Sequence, residues 1–149
     1  WRARLKGLTL ARLLIGYLLL RQLLATLGLT GVAGHAQTVR PLLAPMGEAA
    51  AAKILPSLDD ADRDDLRAVA AATDNIGRFF GEDVFIALGA VLLIQGFYSQ
   101  HGIELSPLSI ALWALPTAIA AFVIQSARIW LYQRRLQRRA AVASIESAT

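Results

Sequence analysis

The 149 residues carry 15 Lys and Arg against 11 Asp and Glu, a net charge of +4, yet only 17% are charged while 56% are hydrophobic and the mean hydropathy is +0.49. Water-soluble domains hold about a quarter charged residues, so this composition argues against one, and the absence of cysteine excludes a disulfide framework, a thiolate metal site and a Cys nucleophile. The basic residues flank apolar runs, Arg2, Arg4 and Lys6 at one end and Arg128, Arg134, Arg135, Arg138 and Arg139 at the other, which is the placement of cytoplasmic membrane anchors and not of a nucleic-acid footprint.

No secretory signal peptide is visible, and the chain opens at Trp1 without a methionine, from which an N-terminally incomplete protein is expected. Leu8 to Leu29 is leucine-rich but interrupted by Arg12 and Arg21, which fall on opposite faces of a helix at about 100° per residue. From Gly28 to Pro45, three glycines and two prolines break up moderately apolar sequence. Broken helices at membrane depth are tolerated only where they are buried in protein or line a wet cavity. With the basic N-terminus and the residues before Val84 both assigned to the cytoplasm, the chain between them must cross an even number of times. A re-entrant broken-helix hairpin over about 8–52 meets that condition.

Ser57 to Arg67 is polar, with a helix N-cap signal at Ser57 or Asp59, and runs into alanine-rich sequence; it predicts a cytoplasmic polar helix over about 58–76 within a connector 57–81, its charges forming a solvated face. Thr73 to Asp83 then sets polar residues and two glycines directly before an apolar run, and reads as the second half of a site. Val84 to Ile103 and Leu105 to Ala127 hold no formal charge. Each matches the roughly 20 apolar residues that a helix needs to cross a hydrocarbon core of about 30 Å. Two transmembrane helices are therefore expected, about 83–103 and 106–131, forming a hairpin within 82–139, with the turn His101 to Pro107 outside and the basic tail cytoplasmic. Tyr98, Trp130 and Tyr132 suit the interfaces, and Pro116 should kink the second helix. Gly89, Gly96, Ala114, Thr117, Ala118 and Ala121 allow close helix contact. The expectation is an all-α, polytopic integral membrane protein forming a single membrane domain over 1–149.

No enzyme signature emerges: there is no Gly-x-Ser-x-Gly elbow, phosphate loop or His-Glu-x-x-His, and His35 and His101 lack metal-ligand spacing, so neither metal nor organic cofactor is expected. What remains is the pattern of secondary transporters, whose half-helix N-termini point at anionic substrate groups while unwound backbone holds a coupling cation. Gly34, His35, Gln37, Thr38 and Arg40 supply free N–H groups, polar side chains and a cation for a carboxylate, and Thr73 and Asn75 complete the substrate set. Asp74, Asn75, Glu82 and Asp83 are candidates for the coupling ion, Na⁺ or H⁺. Each has a structural alternative. Arg40 could pair with Glu48 or Glu82, Thr73 to Asn75 could cap the following helix, Glu82 and Asp83 could be its first-turn acids, and His35 could be a hydrogen-bonded loop residue instead of a proton relay. Arg12 and Arg21 are expected to snorkel or to pair outside this chain.

The strings Gly34-His-Ala-Gln-Thr-Val-Arg-Pro-Leu-Leu-Ala-Pro-Met46 and Ala72-Thr-Asp-Asn-Ile-Gly-Arg-Phe-Phe-Gly-Glu-Asp-Val-Phe85, with Leu18-Leu-Leu-Arg-Gln22 and Leu112-Trp-Ala-Leu-Pro-Thr-Ala118, resemble the smaller subunit of a bacterial two-subunit permease family assigned to 5-oxoproline (pyroglutamate). The resemblance covers nearly the whole chain. It implies an ion-transporter-like carrier with re-entrant hairpins, a larger partner subunit, a small carboxylate substrate, further N-terminal spans and a multi-pass position in the bacterial inner membrane. Two other classes remain open: a non-transporting scaffold that assembles a partner membrane protein, and an intramembrane enzyme using Asp74, Glu82 and His35.

Overall fold

The computed structural model describes residues 9–85 and 88–146. All its regular elements are helical: α1 (Leu10–Thr26), a π-helix (His35–Leu43), α2 (Ala44–Ala52), α3 (Asp60–Phe85), α4 (Leu88–Gln100), α5 (Pro107–Leu112) and α6 (Leu115–Glu146). The stretches Asp60–Gln100 and Pro107–Ile145 each contain a window long and apolar enough to cross a membrane. The basic residues Arg2, Arg4 and Lys6 lie outside the described residues.

Local chemistry sets the helix starts. Thr9 caps α1 by accepting the Arg12 N–H, and Asp59 and Asp62 exchange side-chain-to-backbone hydrogen bonds at the head of α3 in the manner of a capping box. Ser57 was the other N-cap candidate; the cap is Asp59. Pro45 occupies the first turn of α2, where a missing N–H costs nothing. Ahead of Pro116 the helix gives way at Trp113 and Ala114, whose N–H groups reach only three residues back to Ile110 and Ala111. The expected kink is thus a break between α5 and α6, because the proline ring excludes the carbonyl four residues earlier.

Contacts fix the topology. Leu10 lies beside Gly47 and the Tyr17 hydroxyl reaches Ala33, so the π-helix and α2 run back along α1. Arg21 meets Asp74 and Gln22 meets Gly81, so α1 and α3 are parallel. Gln133 accepts the Ala11 N–H and Gln22 donates to the Ala118 carbonyl, so α6 is antiparallel to α1. Arg139 pairs with Asp62 and Gln125 with Thr73, which sets it antiparallel to α3 as well. The core collects Leu10, Leu14, Tyr17, Val39, Leu43, Leu66, Ile129 and Leu136 from all these elements.

One expectation is corrected. The polar helix was placed at 58–76 and the first span at 83–103, with a glycine-bearing break between them; α3 instead runs unbroken from Asp60 to Phe85. The glycines are packing residues. A Cβ on Gly81 would stand 2.5 Å from the Gln22 carbonyl oxygen, and one on Gly77 would stand 3.1 Å from the Arg21 stem. Spaced four apart, they form the small-residue notch through which helix backbones approach closely. Thr73, Asp74 and Asn75 therefore sit inside a helix instead of capping one, and Glu82 and Asp83 belong to the last turns of α3, not the first turn of a span.

Candidate functional site

On α1, Tyr17 and Arg21 are four residues apart and so project from one face, both buried against α3. There the Arg21 Nε donates to Asp74 Oδ1 at 2.7 Å, with the two side chains only 1% and 4% exposed. The Tyr17 hydroxyl lies 2.7 Å from the same carboxylate oxygen and 2.8 Å from the Ala33 carbonyl oxygen. It has one proton for two acceptors, so it serves the carboxylate or the carbonyl, not both at once. Arg21 Nη1 donates to the Val32 carbonyl at 3.1 Å. Ala33 itself holds φ 57°, a left-handed conformation that is unfavourable for alanine. The turn ahead of the π-helix is thus tied by its carbonyls to two side chains of α1. Arg21, expected to snorkel or to pair outside this chain, is corrected to the partner of Asp74. Arg12, on the opposite face, is exposed.

Gly34, extended at φ −74° and ψ −177°, opens the π-helix. Within it the bond spacing lengthens: the Ala44 N–H donates to the Val39 carbonyl five residues back. Residues five apart then stack on one face, whereas α-helical winding would set them about 140° apart. His35 and Arg40 have this spacing, and both line a cavity of about 400 Å³ together with Val39, Ala44 and Arg67. His35 Nδ1 stands 3.9 Å from Asp74 Oδ2. The histidine therefore lies between the buried acid and a cavity bearing two guanidinium groups.

Arg67 is shared with Glu48 at 3.3 Å and Asp64 at 3.1 Å. Arg40 does not find the partners considered for it. Glu48 is engaged by Arg63 and Arg67, and Glu82 by Arg78 at 3.3 Å. These acids are held where they stand by neighbours on α3, which leaves the Arg40 charge to the cavity.

The remaining candidates disperse. Gln37 folds back on the cap, its Oε1 occupying the space beside Gly34, while the Thr38 N–H donates to the Gly34 carbonyl at 2.9 Å. Thr73 is buried toward α6: its hydroxyl donates to the Val69 carbonyl at 2.8 Å and accepts from Gln125 Nε2 at 3.1 Å. Asn75 is exposed and lines a separate depression with Arg78, Phe79 and Glu82. Glu82 and Asp83 lie roughly 12–14 Å beyond Asp74 along the helix. Of the proposed set, the structure brings together Asp74, His35 and Arg40. Tyr17, Arg21 and Arg67 join them unforeseen; a lone arginine in a leucine-rich segment is itself the signal that an acid must meet it, since such groups are costly unpaired. Among the described residues no cluster of three or more His, Asp or Glu side chains could hold a metal.

No curated protein and no solved structure matches the chain. A family model does, over residues 1–137, under the description "Protein of unknown function (DUF969)". The chain belongs to that family.

Proposed function

We propose that the protein is a membrane-embedded subunit of a proton-coupled secondary carrier for a small carboxylate, 5-oxoproline being the substrate that the sequence resemblance implies. The observation that carries this reading is the placement of His35 between buried Asp74 and the cavity that Arg40 and Arg67 line. An ionisable network of this kind inside an apolar helix pair is a costly feature usually retained for function. The substrate carboxylate binds the guanidinium of Arg40, with the positive end of the π-helix and Arg67 adding to the field. A proton passes through His35 to Asp74. Once Asp74 is protonated, Arg21 loses its counter-ion and the Tyr17 proton turns to the Ala33 carbonyl, so loading the acid alters the ties that hold the turn. Helices α3 with α4, and α5 with α6, supply the spans, and α1 with the π-helix the re-entrant hairpin.

Uptake of labelled 5-oxoproline into cells making the full-length protein with its candidate larger subunit tests this. Gradient-driven uptake that collapses with a protonophore, and falls at least tenfold in Arg40→Ala and Asp74→Asn, is expected. Uptake unchanged in Arg40→Ala removes the clamp, dependence on Na⁺ alone removes the proton route, and absent uptake with the partner still assembled favours the scaffold.

A further inference from the structure

Away from the His35 cavity, α3 and α6 leave between them a groove of about 550 Å³ lined in part by Asp65, Gln125, Arg128, Tyr132 and Arg135. Gln125 is 2% exposed, and its amide orientation is fixed from one side. The Thr73 hydroxyl spends its proton on the Val69 carbonyl, so Gln125 must turn Nε2 toward Thr73, and its buried Oε1 is left without a hydrogen-bond donor. A buried acceptor without a donor is rare enough to call for a partner. Arg128 and Arg135 are seven residues apart, two helical turns, and so share a face. Arg134 is not part of this set, since its guanidinium lies 3.5 Å over the Trp130 ring. The groove thus offers two cations for an anionic group and two acceptors, the Asp65 carboxylate and Gln125 Oε1, for a donor that is itself positive. That is the complement of a zwitterion with a phosphate and a primary ammonium. Its depth says where such a ligand comes from. Arg128 is the first charge after the uncharged run that ends at Ala127, and Trp130 and Tyr132 follow it at the level aromatic residues prefer at a membrane boundary.

We propose that this groove binds the phosphoethanolamine headgroup of a bilayer lipid, the phosphate on Arg128 and Arg135 and the ammonium on Asp65 and Gln125 Oε1. The assignment rests on the membrane placement proposed above. Native mass spectrometry of the full chain in detergent, titrated with phosphatidylethanolamine, phosphatidylcholine and phosphatidylglycerol of identical acyl chains, tests it. Phosphatidylethanolamine should bind roughly tenfold tighter than phosphatidylcholine, whose quaternary ammonium donates no hydrogen bond, and tighter than phosphatidylglycerol, which has no cation. Asp65→Asn and Gln125→Leu should each reduce the ethanolamine preference toward one, whereas the Arg128→Gln, Arg135→Gln double variant should weaken all three lipids. Circular dichroism verifies folding, and exposed Asp65 carries the test should Gln125→Leu unfold. Equal binding of the two zwitterionic lipids, or a preference that survives Asp65→Asn, overturns the headgroup site. Free phosphoethanolamine binding as tightly as the lipid overturns the bilayer as its source. A chain that stays monodisperse in water without detergent overturns the membrane placement instead.

Discussion

Around Asp74 the interior is polar at its centre and tight at its edges, with a charged pair out of contact with solvent and Gly77 and Gly81 letting two backbones nearly touch. Along α4 and α5 the opposite holds: Leu93 is 76% and Trp113 81% exposed, and Gly89 and Gly96 have nothing within 4 Å of where a Cβ would stand. In water the second region would be the anomaly. In a bilayer, lipid tails solvate Leu93 as well as protein does, so apolar contact distinguishes little and small residues and polar pairs must specify which helices meet. The two regions share an apolar composition and differ in what makes their neighbours unique.

That contrast gives its largest expected effect at the buried pair. Asp74→Leu leaves Arg21 charged and uncompensated and should destabilise the chain by about 3–5 kcal/mol, read as thermal unfolding or loss of monodispersity in detergent, while Leu93→Ala should leave both unchanged. If Arg21→Met together with Asp74→Leu recovers most of the loss, the pair specifies the site more than it stabilises the fold. Next comes the notch: Gly81→Val should cost about 1–3 kcal/mol because its Cβ meets backbone, against Gly89→Ala, which should be neutral or slightly stabilising. An equal effect at the two glycines would erase the distinction. Thr73→Val would strand the Gln125 amide donor and should cost about 1–3 kcal/mol with no change in helix content by circular dichroism. The smallest change is at the turn, where Ala33→Gly relieves a left-handed residue and should raise the unfolding midpoint by the equivalent of at most about 1 kcal/mol.

How far the sequence could carry these points depended on whether local pattern or tertiary contact decides them. The uncharged runs before and after Glu104, the break ahead of Pro116 and the opposed faces of Arg12 and Arg21 are local, and the structure has them. Gly77 and Gly81 misled because glycine in a helix reads as a breaker until a second backbone is seen against it. Arg21 and Asp74 are 53 residues apart, and no spacing rule joins them. His35 and Arg40 were singled out for their chemistry, yet a 3.6-residue period places them on different faces, so their shared cavity could not be read from the pattern. Thr73 and Asn75 were grouped by adjacency in the chain. In a helix, residues two apart diverge, and one faces α6 while the other faces out.

The π-helix makes the count of residues between Gly34 and Ala44 as meaningful as their identities. Removing one residue between His35 and Arg40, for instance Ala36, would allow ordinary α-helical bonding without touching a single functional side chain. The two would then be separated by a standard turn, still on one face, but everything from Pro41 onward would be rotated by about 100° against α3. The cavity is therefore encoded partly as length. Among proteins of this kind a one-residue gap here would be a heavier change than several substitutions, and a comparison that scores only matching letters would pass over it.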